Sequence, residues 1–375
     1  MLFGAGTVIF ISRLEKRMTG LFPVEFFFRR QLWLLLFGLF NAYVLLWFWD
    51  ILFHYAICGL FLFPFRRLKP KYLFLAAAVS LVLMTARENL ELYKQKKQKA
   101  IITKGEKIAA LDTTKIKLTG RQKEELAAMN AIKERSTSEA KKRKMEEELR
   151  VARGGYTDFY HAGSEMTAKA ETKEMYYFLL WDILLFMFIG IAFFKLGILQ
   201  GKAKTKVYAW MAILGLGIGL PLSYLFVIND VNHNFNWSEI TKAKRFQFYE
   251  LQCFVHSIGI FGGIMLLYKS GWCKRFFAFM RPVGQMAFTN YLMQSFLCGF
   301  FFYGTGLGFF GRFQFYQLYY VVAAVWMIEI TWSHLWLRHY RFGPLEWLWR
   351  SLTYWKKQPL KKEKKTDALV ETEIA

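Results

Sequence analysis

The stretch MRPVGQMAFTNYLMQSFLCGFFFYGTGLGFFG, Met280–Gly311, decides how this chain is read. Phe, Leu and Gly dominate it, and the apolar run Val283–Phe302 has the length, about 17–25 residues, that crosses a hydrocarbon core of about 30 Å. Yet Gln285, Thr289, Asn290, Gln294 and Ser295 are set within it. An amide buried without a partner costs about 2 kcal/mol or more, so these groups either bond to neighbouring helices or line a wet site. On a helix Asn290 and Gln294 share a face while Gln285 points roughly the other way. The expectation is that Asn290 and Gln294 bond across helices beside a central polar cavity, which is the default ligand site.

The rest of the chain repeats the apolar pattern. Of 375 residues, 55% are hydrophobic and 19% aromatic, well beyond a soluble composition. Apolar runs occur at Leu2–Ile11, Gln31–Trp49, Ile51–Phe65, Tyr72–Met84, Met175–Leu199, Val207–Ile228, Leu251–Tyr268, Val283–Phe302 and Phe315–Leu337. The fold class expected is all-α: a polytopic membrane bundle of about nine segments.

Lys and Arg in the short loops set the orientation. Arg13, Lys16, Arg17, Arg29 and Arg30, then Arg66, Arg67, Lys69 and Lys71, then Lys202, Lys204 and Lys206, then Lys269, Lys274, Arg275 and Arg281 fall on one side if every segment spans. The carboxyl tail shares that side. This predicts a multi-pass protein of the cell inner or plasma membrane with a cytoplasmic carboxyl terminus. The formal charge of +23 sits largely in these loops and in the tail, where anionic lipid headgroups, not nucleic acid, are the partner.

Residues 87–174 differ in kind. They are almost free of aromatics until Tyr156 and mix Lys, Glu and Ala at spacings that support exposed helices, with Gly154 and Gly155 as a stop signal. The domain division is therefore 1–86, membrane segments; 87–174, a charged helical insert on the extracytoplasmic side; 175–354, a second membrane region; and 355–375, a basic disordered tail. The insert reads either as a mobile hairpin or as a partner-docking arm.

Cys58, Cys253, Cys273 and Cys298 are scattered without paired spacing, and the six His form no metal pattern, so no metal is expected. GLGFFG, Gly306–Gly311, follows no strand and is not a nucleotide fingerprint. Glycine serves close helix approach instead, at Gly215, Gly217 and Gly219 or at Gly259 and Gly263.

Ionisable groups within apolar runs are functional candidates, because a charge at the bilayer centre costs about 2.5 kcal/mol or more. In WFWDILFHYAICG, Trp47–Gly59, a helix starting at Asp50 stacks His54 and Cys58 on its face. Two readings stand: a carboxylate orienting an imidazole as acid and base, or an Asp that caps the helix and a His that merely hydrogen-bonds. Glu329 lies well inside its span and must be paired or protonated, with Ser333 on its face. Beyond Pro344, Glu346 precedes Arg350 by four residues; this reads as an ion pair on an interfacial helix or as an anion site at Arg350. Asp182 and His256 lie near span ends, where water can satisfy them.

Taken together, GQMAFTNYLMQS at Gly284–Ser295, GTGLGFFG after it, WSHLWLRHYRFGPLEWLWRSLTY at Trp332–Tyr354 and RRQLWLLLFGLFNAYVLLWFWDILFHYAICG at Arg29–Gly59 resemble the YeiB-like membrane proteins, which carry domain of unknown function 418. LFGAG at Leu2–Gly6 and GGYTDFY at Gly154–Tyr160 look like further landmarks, and the family domain is strongest from about residue 250. The resemblance implies a distant relation to membrane acyltransferases that modify envelope polysaccharides with an acyl-CoA-like donor; transport is the other function attached to such proteins. Family members usually open with a further helix bearing an Arg, Asp and Gly motif, and this chain starts at the LFGAG that would follow it, which implies an upstream start or a truncated gene. Where the family usually has His, this sequence has Asn41, and Trp49 replaces Gly ahead of Asp50. Asn cannot act as a base, so the resemblance leaves His54 to serve, or the protein inactive.

Three functions follow as expectations. One is acyl transfer to an envelope glycan or lipid, with Asp50 and His54 as acid and base and Arg350 near a donor phosphate. Another is a small-solute transporter with Glu329, Asn290 and Gln294 on its path. The third is a non-catalytic partner-binding membrane protein.

Overall fold

The computed structural model describes residues 1–48, 50–110, 119–136, 138–235, 240–241 and 243–362. Its elements run α1 (Leu2–Arg17), α2 (Phe22–Tyr43), α3 (Ile51–Phe61), a 3-10 turn (Phe63–Arg67), α4 (Pro70–Ala109), α5 (Gly120–Ser136), α6 (Ser138–Arg153), α7 (Tyr156–Lys169), a π-helical stretch (Ala170–Leu179), α8 (Leu180–Lys195), α9 (Thr205–Asn232), α10 (Tyr249–Ser270), α11 (Lys274–Gln285), α12 (Ala287–Phe302), α13 (Phe315–His339) and α14 (Pro344–Tyr354). Among the described residues the regular elements are all helical, and an isolated bridge joins Tyr340 and Lys361.

Among the described residues, four helices are long and apolar enough to cross a membrane: α4, α9, α10 and α13. In each, at most 22% of the most apolar window is buried within the protein, so most of that surface faces outward, as lipid contact requires. The expectation of about nine spans is corrected. Tyr72–Met84, Val207–Ile228, Leu251–Tyr268 and Phe315–Leu337 fall in the four helices, and a bent pair, Tyr156–Tyr177 with Leu180–Lys195, makes up to five if it counts as one crossing. The other apolar runs fail for local reasons. Leu2–Ile11 lies in a 16-residue helix ending in Lys16 and Arg17. Gln31–Trp49 begins in α2, whose first nine residues carry Glu25, Arg29 and Arg30 and which stops at Tyr43. Ile51–Phe65 yields an 11-residue helix, about 16 Å long. Val283–Phe302 is broken at Met286, which ends α11 and starts α12.

The chain divides into two compact units. The first comprises Met1–Ala5, Phe65–Val151 and Tyr176–Trp272. Its α8 is apolar on every side and, Phe186 apart, buried from Ile183 to Phe193, as a core helix must be. Helices α9 and α10 touch backbone to backbone: a Cβ on Gly215 would stand 2.3 Å from the Gly259 Cα, and one on Gly262 would stand 2.8 Å from the Tyr208 carbonyl oxygen. Of the predicted approach glycines, Gly217 and Gly263 instead face open space. Helix α4 continues without interruption into charged sequence and packs on α5, where Gly105 meets Met129. Exposed pairs such as Arg150–Glu147, at 2.6 Å, decorate α6, where solvent screens them.

The second unit comprises Gly6–Pro64, Ala152–Met175 and the chain from Cys273 on. In α2 the residues Phe27, Gln31, Leu34, Gly38 and Asn41 are buried at alternating four- and three-residue steps, a stripe that faces neighbouring helices. Glycine makes its contact with α3 close: a Cβ on Gly38 would stand 2.4 Å from the Phe53 backbone nitrogen and 2.7 Å from Asp50 Oδ2. Gly38→Val is therefore expected to lose about 2 kcal/mol or more through overpacking. Gly217→Val, where nothing lies within 4 Å, is the control. Thermal unfolding of the purified proteins checks this; equal midpoints for the two variants would refute the contact. Past α14, Gln358 accepts a bond from Trp347 Nε1 at 2.7 Å and Arg341 N–H donates to Leu360 at 2.9 Å. The remainder of the expected tail, 363–375, lies outside the described residues.

Candidate functional site

The site begins with a helix start. Asp50 adopts extended backbone at φ −64° and ψ 132°, and its Oδ2 accepts the Phe53 N–H at 2.7 Å, capping α3. Its Oδ1 accepts two further bonds, from Asn41 Nδ2 at 2.7 Å and from the Tyr291 hydroxyl at 3.0 Å. The Ile51 N–H donates to the same Tyr291 oxygen at 3.1 Å, which leaves the phenolic proton for Asp50. With Asp50 2% exposed and Asn41 fully buried, this carboxyl is held by neutral donors away from water. Burial pushes its pKa above the ordinary carboxylate range, opposed by its bonds to Asn41, Phe53 and Tyr291.

His54 is placed beside this carboxyl without facing it. Its Nδ1 meets the Asp50 backbone carbonyl at 2.5 Å, and its Nε2 meets the Ala170 carbonyl at 3.5 Å. Both ring nitrogens thus point at main-chain oxygens, and the carboxylate turns to Asn41 and Tyr291 instead. The capping reading of Asp50 holds in geometry, with two bonds that capping does not require.

The loop that delivers Asp50 is pinned by Ala152–Met175. The Tyr156 hydroxyl donates to the carbonyls of Tyr43, at 3.4 Å, and Val44, at 3.1 Å. Phe159 lies between Phe48, at 4.8 Å between centroids, and Tyr303, at 4.1 Å. Tyr43 donates to Glu171 Oε2 at 3.1 Å, while Glu171 Oε1 is buried and accepts no bond. The end of the expected insert thus belongs to the site. Glu171 and Tyr291 were missed from sequence; the return of aromatics at Tyr156, and the place of Tyr291 beside Asn290, were the available signals.

Within Met280–Gly311, Asn290 and Gln294 find separate partners. Asn290 donates to Ser333 Oγ at 3.1 Å and accepts from Trp332 Nε1 at 2.8 Å, which ties α12 to α13. Gln294 donates to Glu329 Oε2 at 3.0 Å, while Glu329 Oε1 is buried and accepts no bond. Ser333, expected beside Glu329, goes to Asn290. The two amides therefore act as bonds between helices, and Gln294 also lines an apolar cavity of about 410 Å³ with Trp47 and Cys298.

Glu346 does not pair with Arg350. Its Oε1 accepts the N–H groups of Phe288, at 2.8 Å, and Thr289, at 3.0 Å, and its Oε2 accepts the Thr289 hydroxyl. A carboxylate from α14 thus caps α12, which explains why the apolar run restarts as a new helix after Met286. Arg350 instead lies over the Phe342 ring, 4.8 Å from its centroid. It lines a cavity of about 720 Å³ with Arg13, Lys16, Arg17, Arg30 and Glu346. Among the described residues no three His, Cys, Asp or Glu side chains gather as a metal ion would need.

Residues 193–356 match the family described as a protein of unknown function, DUF418. The uncharacterised protein YxaH of Bacillus subtilis is 28% identical over 97% of this chain and 80% of its own length. The uncharacterised protein YeiB of Escherichia coli is 31% identical over 46% of this chain and 44% of its own, and an uncharacterised 39.9 kDa protein of Bacillus acidopullulyticus is 31% identical over 44% and 49%. No solved structure matches the chain. The matched segment contains Tyr291, Asn290, Gln294, Glu329, Glu346 and Arg350, whereas Asn41, Asp50 and His54 precede it.

Proposed function

Because the chain belongs, over residues 193–356, to the DUF418 family of unknown function, we propose that it is a multi-pass membrane enzyme of acyltransferase-like type, passing an acyl group from a cytoplasmic acyl-CoA-like donor to an envelope glycan or lipid. The observation that carries this reading is the buried Asp50 carboxyl held by Asn41 and Tyr291. In the reaction Asp50 takes the proton of an acceptor hydroxyl as that oxygen attacks the acyl carbonyl. The donor thiolate leaves and is protonated in turn. Asn41 and the Phe53 N–H fix the direction of the carboxyl, and Tyr291 donates to the oxygen that Asn41 also holds. Such positioned proton transfer contributes about 10²–10⁴-fold. The seclusion of Asp50 from water favours transfer over hydrolysis. His54 serves as a positioning residue for the loop through its two carbonyl contacts.

The assignment of acyl transfer itself is an analogy with related membrane enzymes. With α4, α9, α10 and α13 as the crossings, the orientation proposed puts the carboxyl terminus in the cytoplasm and the charged helices α5 and α6 outside the plasma membrane; the Lys and Arg before α4 and after α13 support it, whereas those of 202–206 and 269–281 then fall outside. Membranes containing the full chain, given acetyl-CoA labelled in the acetyl group and an extract of envelope glycans and lipids, should label the glycan or lipid fraction above membranes without the chain. Folded protein that labels neither fraction would sink the proposal.

A further inference from the structure

The cavity of about 720 Å³ in the second unit brings cations from three helices together. Arg13, Lys16 and Arg17 follow one another at i, i+3 and i+4, so they share a face of α1. Arg350 comes from α14 and Arg30 from α2. Glu346 is the acidic residue of the lining, and its carboxylate is already engaged by Phe288 and Thr289. Five cations therefore face a space whose carboxylate is turned elsewhere.

Arg30 shows what the space lacks. Its guanidinium carbon lies 3.6 Å from the Trp349 ring centroid and 4.9 Å from that of Phe10, while Trp349 Nε1 donates to the Arg30 carbonyl at 2.9 Å. Among the described residues, no acceptor takes a hydrogen bond from that guanidinium. Burial pulls its pKa down to about 10, with Tyr354 raising it and Arg350 lowering it, so it remains cationic at neutral pH. A half-buried fork of five N–H donors opens on the cavity without a protein acceptor, and like charges around it add to its cost. An anion offering several oxygens relieves both.

We propose that this cavity is a binding site for a phosphate-bearing ligand, with Arg30 and Arg350 as its principal contacts and Arg13, Lys16 and Arg17 as its charged rim. Phosphate is the matching chemistry because its oxygens meet the guanidinium fork in pairs. Phe10, Trp349 and Tyr354 supply apolar walls for whatever the phosphate carries. The same chemistry is offered by a soluble diphosphate and by the headgroup of an anionic lipid. The inference does not depend on acyl transfer and survives its failure.

The test uses the full chain with two probes. Purified protein is titrated calorimetrically with pyrophosphate, and protein in nanodiscs of equal phosphatidylglycerol and phosphatidylcholine is examined by native mass spectrometry for retained lipid. Arg30→Gln also removes the stack on Trp349, so the exposed Arg350→Gln is the second variant and the decisive one if Arg30→Gln fails to fold. Pyrophosphate binding weakened about tenfold or more by Arg350→Gln supports the site and a soluble ligand. Absent pyrophosphate binding with phosphatidylglycerol retained by the wild type and lost in Arg350→Gln supports the site and a lipid headgroup. If both probes behave alike in the wild type and Arg350→Gln, the proposal is overturned.

Discussion

Glu346→Ala should lower the stability of the protein by about 3 kcal/mol or more, the largest loss expected from one surface-reaching side chain. Glu346 makes three hydrogen bonds to the first turn of α12, two of them to backbone N–H groups. Bonds to a charged group contribute about 1.5–3 kcal/mol each, and the donors left behind are partly buried. Helix α12 starts inside what would otherwise be one apolar run, so little besides this carboxylate satisfies its amino end. Glu346→Gln keeps one acceptor oxygen and should lose less. Thr289→Val removes a hydroxyl that donates to Glu346 and accepts the Leu345 N–H at 3.1 Å, but leaves both backbone bonds of the cap, and should lose less than the Ala variant. Thermal unfolding in one detergent reads all three, and an Ala variant that melts with the wild type would show that the cap contributes nothing.

That cap also explains where the sequence misled. The window Val283–Phe302 looks continuous because hydropathy counts residues, not hydrogen bonds, and the carboxylate that divides it lies 57 residues from Thr289. Ile51–Phe65 failed for a related reason, since apolar content is the same whether a helix lasts two turns or five. The class was nevertheless legible: α4, α9, α10 and α13 are the runs that lie within one unbroken helix of 22 residues or more. Asn290 and Gln294 were readable as bonds between helices from their shared face, although which residues of α13 they meet was not.

The site was legible in part. Asp50 stood out because an acid between two apolar runs needs a reason, and its capping geometry follows from its place before α3. The imidazole four residues on has the spacing of a partner, but a side chain at i+4 can reach the i carbonyl as readily as the i carboxylate, and His54 does so. Tyr291 was hidden by the 241 residues that separate it from Asp50. Arg30 and Arg350 were each visible as loop or interfacial charges. Their convergence on one cavity is a property of how α2 and α14 pack, as in the 2.9 Å bond from Trp349 to the Arg30 carbonyl.

The second large effect concerns chemistry. Asp50→Asn keeps the volume and an acceptor for Asn41 or Tyr291, so the protein should fold, yet an amide cannot take a proton from an attacking hydroxyl. Tyr291→Phe removes one donor to the same oxygen and should slow the reaction less. His54→Gln retains a polar group toward the carbonyls of Asp50 and Ala170 and should alter stability more than rate. A rate lost in His54→Gln and kept in Asp50→Asn would reverse their roles.

The most direct measurement is therefore the initial rate of labelled acetyl transfer from acetyl-CoA into envelope glycan or lipid, in membranes matched for folded protein, for the wild type and Asp50→Asn. The account predicts a fall of about 10²-fold or more in the variant. Equal rates in the two would contradict it and remove Asp50 from the chemistry.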